Sequence, residues 1–93
     1  MTDVKIDQVA EALEALAHPS RLQILVTLTE RYSLPLTSLQ QQLQISFPVL
    51  SSHLTHLQEQ HLLVSQQQGN ELHYSLADAS LRQVINIIRT KYM

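Results

Sequence analysis

Residues 37–60 contain two short helical segments separated by only two residues, and this feature restricts the fold more than any other. The first segment begins at Thr37, whose hydroxyl can cap a helix, and the second begins at Ser46, which has the same capacity. A proline soon after Ser46 suits the first turn of a helix. Only Gln44 and Ile45 separate the segments, and two short helices joined by so tight a turn form a helix-turn-helix.

Two longer helical patterns precede this motif. Apolar residues recur at helical spacing from Ile6 to Leu16, and this first helix stops at His18-Pro19. Thr2 and Asp3 offer it an N-cap. Pro19 suits the first turn of a second helix, whose leucines form one stripe until a polar segment at 31–33 ends it.

Beyond Gln60 the pattern changes from helical to strand-like. Two strand-like segments flank Gly69, the only glycine of the chain, and predict a β-hairpin. Asp78 can cap a final helix with an apolar stripe that runs to the end of the sequence. The order helix, helix, helix-turn-helix, hairpin, helix predicts a mainly α fold with a β-hairpin wing. This is a winged helix-turn-helix, expected as a single domain over residues 1–93.

The composition favours a folded domain and excludes several functions. Of 93 residues, 44% are hydrophobic and 15% are charged, whereas disordered chains combine low hydrophobicity with high net charge. The N-terminus has no uninterrupted apolar run, so we expect a cytoplasmic protein without a membrane partner. The absence of cysteine excludes disulfides, thiolate metal sites and thiol redox sensing. No phosphate loop, nucleophile elbow or suggestive acid–base pair occurs, so we predict that the protein is not an enzyme.

The charge distribution weighs against nucleic acid as a partner. The net charge is −2, the isoelectric point is about 6.2, and no lysine or arginine occurs between Arg31 and Arg82. Lysine and arginine normally supply most of the non-specific affinity of a DNA-binding protein. A helix-turn-helix in this chain must therefore hold phosphates by other groups, or it does not bind DNA.

Two stretches, EALAHPSRLQILVTL and SFPVLSSHLTHLQEQHLLVSQQQGNELHYSLAD, are similar to the ArsR/SmtB family of small dimeric repressors. The family's helix-two pattern, L-x-H-P-x-R-L-x-I-L, is matched at Leu16, His18, Pro19, Arg21, Leu22, Ile24 and Leu25. Its recognition-helix pattern, S-x-P-x-[IL]-S-x-H-L-x-x-L, is matched at Ser46, Pro48, Leu50, Ser51, His53, Leu54 and Leu57, and its wing ends at Tyr74 and Leu76. The resemblance covers roughly the whole chain and implies a homodimer that binds double-stranded operator DNA.

The chain also departs from this family. Glycine is common in the family at the positions that Gln44 and His61 occupy here. The wing, which carries arginines near its tip in relatives, is here the uncharged segment 66–70 followed by Glu71.

The metal sites of the family's sensors are altered as well. The ligand positions implied by the resemblance fall at or near Pro35, Thr37, Ser80 and Lys91, so only Asp78 is left. We therefore predict no metal and no other cofactor, and no inducer site is recognisable. The remaining alternative is a new metal site built from histidines, of which the candidates are His53, His56, His61 and His73.

The histidines of the second helix-turn-helix segment fall on different faces. On a helical projection of residues 46–61, His61 shares a face with three leucines, which predicts that it faces the core. His53 lies at the flank of that face, and we interpret it as bonded to a neighbouring helix or to the backbone. His56 points outward, either as an exposed polar residue or as a phosphate contact. A histidine close to a phosphate binds it better when protonated, so acid would favour binding through His53, His56 or His73.

Two functions remain open. The first is a homodimeric transcriptional repressor that inserts helix 46–60 into the major groove, with phosphates held by hydroxyls, amides and the helix N-terminus. The second is a winged-helix dimerisation module that has lost DNA affinity and acts through a protein partner. For the first hypothesis the predicted DNA-binding residues are Ser46, Phe47, Pro48, Val49, Ser51, Ser52, Thr55, His56, Gln67, Gln68 and Asn70.

The terminal helices are the predicted dimer interface. In so short a chain, no third layer is available to cover their apolar faces. The predicted interface residues are Ile6, Val9, Leu13, Leu81, Val84, Ile85, Ile88 and Tyr92. The alternative is that these side chains cover only the core of their own protomer.

Overall fold

The computed structural model describes residues 4–93 and confirms the predicted winged helix-turn-helix. Its elements are α1 (Val4–Leu16), α2 (Pro19–Glu30), β1 (Leu34–Pro35), α3 (Leu36–Leu43), α4 (Phe47–Glu59), β2 (Leu63–Gln68), β3 (Glu71–Leu76) and α5 (Ala79–Tyr92). The N-cap predicted at Thr2 and Asp3 lies outside the described residues. None of the described helices combines the length and the apolar character that crossing a membrane requires.

The sheet has three antiparallel strands in the order β1-β3-β2. Strands β2 and β3 form the predicted hairpin, whose two-residue turn begins at Gly69 with a φ of 62°, a conformation that glycine adopts without steric cost. Strand β1 pairs Leu34 with Tyr74 and Pro35 with His73. Strand β1 was not predicted, because two residues, one of them proline, leave no periodic signal.

The core is formed by aliphatic side chains from every helix and both hairpin strands. Helix α2 lies at its centre and packs against α1, α3, α4, α5 and β3. The largest fully buried side chains are Ile24, Leu25, Leu28, Leu39, Leu50, Leu54, Leu57 and Ile85. Burial of each such side chain contributes roughly 1.5–3 kcal/mol. Burial of these eight side chains is therefore a large favourable contribution to the stability of a chain without disulfides.

The helix ends show which predicted caps are present. Asp78 caps α5 as predicted, since its Oδ1 accepts a hydrogen bond of 2.8 Å from the Leu81 N–H. Ser46 lies at the N-cap of α4, but its side chain accepts no hydrogen bond there. The prediction that Thr37 caps α3 is wrong. Pro35 occupies the N-cap, and the Thr37 hydroxyl instead donates to Glu71 Oε1 of the wing, 2.7 Å away.

Helix α4 ends earlier than the projection of residues 46–61 assumed. The Leu62 N–H donates to the Leu57 carbonyl and the His61 N–H to the Gln58 carbonyl, which is the Schellman arrangement. His61 therefore adopts the left-handed conformation, with a φ of 60°, and its side chain is exposed. The prediction that His61 faces the core is wrong, because the backbone turns away there and the next residue, Leu62, enters the core instead.

Two arginines of α5 fasten it to the C-terminal end of α2. Arg82 Nη1 donates to the carbonyls of Leu28 and Thr29, at 3.1 and 2.8 Å. Arg89 donates to the Thr29 hydroxyl and forms an ion pair of 3.0 Å with Glu30. The last carbonyls of a helix carry a partial negative charge, so guanidinium groups are favourable partners for them. These contacts fix α5 against α2 at one end of the molecule.

Candidate nucleic-acid interface

Helix α4 separates a buried face from an exposed polar face. Its leucines point into the core, while Ser52 and Thr55 are exposed and Ser51 and His56 are half-buried on the other side. Together with Pro48 and Glu59, these four side chains line a shallow surface depression. The structure therefore brings the predicted hydroxyls together on one outward surface, as expected for a helix with this leucine spacing.

The first turn of α4 is both apolar and rich in free backbone donors. Phe47 and Val49 expose 50% and 47% of their surface, and Pro48 is exposed between them. The first hydrogen bond of the helix joins the Leu50 N–H to the Ser46 carbonyl. Because no side chain caps this end, the N–H groups of Phe47 and Val49 are available to an anion such as a phosphate.

The wing carries amides where the helix carries hydroxyls. Gln67, Gln68 and Asn70 are exposed around the hairpin turn, and Gln67 Nε2 donates to the Gly69 carbonyl at 3.0 Å. Two hydrogen bonds fix the wing relative to the helix-turn-helix. Gln58 Nε2 of α4 donates to Ser65 Oγ at 3.0 Å, and the Thr37 hydroxyl of α3 donates to Glu71.

The surface formed by α4 and the wing has no cation among the described residues. Three cations outside this surface are candidates to flank a bound duplex, and two of them, Lys5 and Arg31, are exposed and distant in sequence from α4. The third, Arg21, is half-buried and its Nε is enclosed without a hydrogen-bond partner among residues 4–93. The interface is therefore polar and apolar but not basic, as the sequence predicts.

The histidines are placed as follows. The His53 ring lies 4.6 Å from the His18 ring of α2, centroid to centroid, at an interplanar angle of 53°. Its position at the flank of the core is confirmed, and its neighbour is a side chain of another helix. His53 is therefore directed at α2 rather than at a phosphate, and His73 lies on β3 opposite Pro35 and Gln66. Only His56 lies on the outward surface of α4.

Comparison with known proteins identifies the class of regulator. The biofilm growth-associated repressor of Xylella fastidiosa is 31% identical over 86 residues, which are 92% of this chain and 75% of that protein. HlyU from Vibrio cholerae has the same fold, with a TM-score of 0.89 at 25% identity over 98% of both chains. The chain belongs to the ArsR/SmtB family. No protein-family model matches the chain.

One ArsR-type structural neighbour shares the fold at lower identity. The winged helix-turn-helix domain from Mycobacterium bovis, described as homodimeric and as a possible ArsR-family transcriptional regulator, has a TM-score of 0.86 at 24% identity. The similarity covers 97% of this chain and 85% of that domain. Membership of the ArsR/SmtB family makes the present chain a winged-helix DNA-binding transcriptional regulator.

The positions that hold metals in ArsR/SmtB sensors have structural roles here. Pro35 pairs with His73 in the sheet, Thr37 binds Glu71, and Asp78 caps α5. Lys91, at the late position of α5, places its Nζ 5.7 Å from the Tyr92 ring centroid. Within residues 4–93, no three or more histidine and carboxylate side chains come together as metal ligands would.

The terminal helices of this ArsR/SmtB member expose an apolar surface, with one correction to the predicted set. Ile85 is 0% exposed and belongs to the protomer's own core, so it is not available to a second copy. Ile87, which the sequence analysis left out, is 67% exposed. The exposure of Ile87 could have been predicted from its spacing of three residues from Val84, which places both side chains along the same edge of the apolar stripe. The exposed apolar side chains of α1 and α5 are Ile6, Val9, Leu13, Val84, Ile87 and Tyr92, and Leu81 and Ile88 are partly buried.

Proposed function

We propose that this protein is a homodimeric repressor that reads an operator with the outward face of α4. The observation that carries the proposal is the set of exposed hydroxyls on that face, behind a first turn with free N–H groups. Hydroxyls and amides can bond to base edges and to phosphate oxygens alike. The residues proposed to contact DNA are Ser46, Phe47, Pro48, Val49, Ser51, Ser52, Thr55, His56, Gln67, Gln68 and Asn70.

The proposal assigns the two subunits to two half-sites. The apolar side chains of α1 and α5 supply the contact between the two copies, which is centred on Val9, Leu13, Val84 and Ile87. Exposure of these four apolar side chains to water is unfavourable, and the contact removes it. A two-fold dimer presents two copies of α4 and therefore reads an inverted repeat. The names of the relatives describe repressors, which favours DNA binding over a module that acts only through a protein partner. Within this proposal the chain has no catalytic role and needs no cofactor.

The test begins with the DNA fragments that co-purify with the protein from its own cells. These fragments, as labelled duplexes, are titrated with the purified protein at low salt, against a shuffled duplex of equal composition. The double variant Ser52→Ala, Thr55→Ala should lose the preference for the specific duplex, by about 1–3 kcal/mol per lost base contact. The matched control is Ser80→Ala, Thr27→Ala, which removes one hydroxyl each from α5 and α2. Equal affinity of the double variant and the control for the specific duplex would show that α4 does not read bases in the major groove through these hydroxyls.

A further inference from the structure

The contact between His18 and His53 joins the helix that supports the core to the helix that faces DNA. His18 is the N-cap of α2, and its Nδ1 accepts a hydrogen bond of 3.2 Å from the Ser20 N–H. A ring nitrogen can accept only while it carries no proton. The same ring touches His53 of α4. The cap of α2 therefore uses a His18 ring whose Nδ1 carries no proton, and the same ring packs against α4.

The surroundings of this pair disfavour any added positive charge. Burial lowers the pKa of His53 below its ordinary value, and the nearby His18, Arg21 and His56 lower the pKa further. Arg21 comes from α2 and His56 from α4, and no carboxylate is among the groups that act on His53. Arg21 Nε is itself enclosed without a hydrogen-bond partner among the described residues. A protonated His53 would thus lie between a guanidinium and two imidazoles with no counter-charge.

The position of His53 in α4 links this charge balance to the DNA-facing surface. His53 follows Ser52 directly and precedes Thr55 by two residues, so a shift of the helix at His53 moves both hydroxyls. Base recognition depends on hydrogen bonds whose length varies by only a few tenths of an ångström. A displacement of α4 on α2 of about 1 Å is therefore enough to disrupt it.

We propose that His18 and His53 are positioning residues that hold α4 in its DNA-reading position only while the His53 imidazole is neutral, so that mild acid weakens operator binding. The inference rests on the proposed function. The expected pH dependence of operator affinity is opposite to that of histidines beside phosphates. Among His53, His56 and His73, only His56 lies on the outward surface of α4.

The sign of the pH dependence follows from linkage. The unfolded chain protonates a histidine near pH 6.5, whereas folding lowers the pKa of His53, so its neutral form favours the folded state above about pH 6.5. This contribution is lost progressively as the pH falls from about 6.5 through the lower pKa of folded His53. If DNA binding excludes one proton that the free protein accepts at His53, affinity falls by up to about tenfold for each pH unit below the pKa of His53 in the free protein.

The test compares operator affinity at pH 7.5 and pH 5.5 in the variant His56→Gln, which removes the opposing histidine. We expect weaker binding at pH 5.5. Adding His53→Gln removes the ring whose charge is at issue and keeps a helix-forming side chain, so this change should abolish most of the difference in affinity between pH 7.5 and pH 5.5. His73→Gln, on β3, is the matched control and should leave the pH profile unchanged. Circular dichroism at both pH values checks that the chain remains folded.

A second measurement needs no DNA. Proton–nitrogen NMR of the histidine rings in the free protein should show His53 titrating below the ordinary histidine range, and His18→Asn should raise the pKa of His53. Affinity that is unchanged or increased at pH 5.5 in His56→Gln, or a His53 pKa that His18→Asn leaves unmoved, would overturn the inference. Absence of operator binding at every pH would instead overturn the proposed function.

Discussion

Phe47 and Val49 leave about half of their surface in water at the start of α4, the helix proposed to face DNA. Exposed apolar side chains at this position have a specific complement in the major groove, the C5-methyl group of thymine. Within the proposed function, we therefore expect the operator half-site to place a thymine against the first turn of α4. The rest of the reading surface, formed by hydroxyls, tolerates more than one base.

This expectation can be tested by removing single methyl groups. Replacement of that thymine by uracil should weaken binding about fourfold, since burial of one methyl contributes about 0.8 kcal/mol. Val49→Thr keeps the side-chain shape but replaces a methyl with a hydroxyl, and in this variant the uracil effect should become smaller. Val64→Thr, at a similarly exposed valine of the wing strand β2, is the control. An equal uracil effect in wild type and in Val49→Thr would show that Val49 does not touch the methyl group.

The outward residues of α4 were predictable because helical geometry assigns them once the leucine face is known. The partner of His53 was not predictable, since 35 residues separate it from His18 (53 minus 18) and only the packing of α2 on α4 brings the rings together. The role of Thr37 was missed for the same reason. Its hydroxyl is satisfied by Glu71 of the wing, a long-range partner that local capping rules do not include.

At the scale of elements, two turns depend on non-glycine residues in the left-handed conformation. Gln44, at the end of α3, has a φ of 54°, and His61, at the end of α4, has a φ of 60°. A side chain with a β-carbon is strained there by about 1 kcal/mol relative to glycine. Glycine is common at both positions in the ArsR/SmtB family. Gln44 and His61 therefore adopt, with strain, the left-handed conformation that glycine adopts without it.

His61→Gly should therefore stabilise the protein by up to about 1 kcal/mol, which would raise the urea midpoint without changing the slope of the transition. Gln60→Gly is the matched control one residue earlier. Gln60 has a φ of −88°, where glycine relieves no strain and only adds freedom to the unfolded chain, so this variant should be destabilised. A lower midpoint for His61→Gly than for wild type would contradict the assignment of strain to this turn.

The longer elements were predictable from period and punctuation, because one glycine and three prolines leave few places at which a helix can end. Strand β1 was not, because it exists only through its pairing with β3. The end of α4 was placed too late. Its sequence continues with helix-compatible residues, and the Schellman hydrogen bonds that end it require the burial of Leu62.

At the scale of the whole molecule, neither α4 nor the wing carries a lysine or arginine among the described residues. Arg82 and Arg89 are committed to α2, and Arg21 is half-buried. Few phosphates are then neutralised, and each one contributes about −0.9 to the slope of log affinity against log salt. We expect a shallow slope. Gln68→Lys, at the exposed wing, should steepen the slope by about 0.9 per protomer, whereas Gln23→Lys, exposed on α2, should leave it unchanged. A steep slope in the wild type would show that other cations dominate the contact.

The proposed dimer makes a separate prediction at this scale. Ile87→Glu places a charge in the apolar surface of α5 and should convert dimers into monomers, as measured by sedimentation at micromolar concentration. Ile87 is a cleaner test than the half-buried Ile88, because its side chain contributes little to the protomer's own core. Val64→Glu, at an exposed valine of the wing, is the control and should remain dimeric. A dimeric Ile87→Glu variant would exclude this surface as the interface.

The arginine contacts between α5 and α2 have a consequence for the spacing of the DNA half-sites. Helix α2 is held by α5 at its C-terminal end and touches α4 through His18 at its N-terminal end. Twelve helical residues measure about 18 Å, so α2 acts as a rod of fixed length between the proposed dimer contact and the reading helix. We therefore expect the proposed dimer to resist stretching or twisting along its operator. One extra base pair between the half-sites, which rotates one of them by about 34–36° around the duplex axis, should therefore weaken binding sharply.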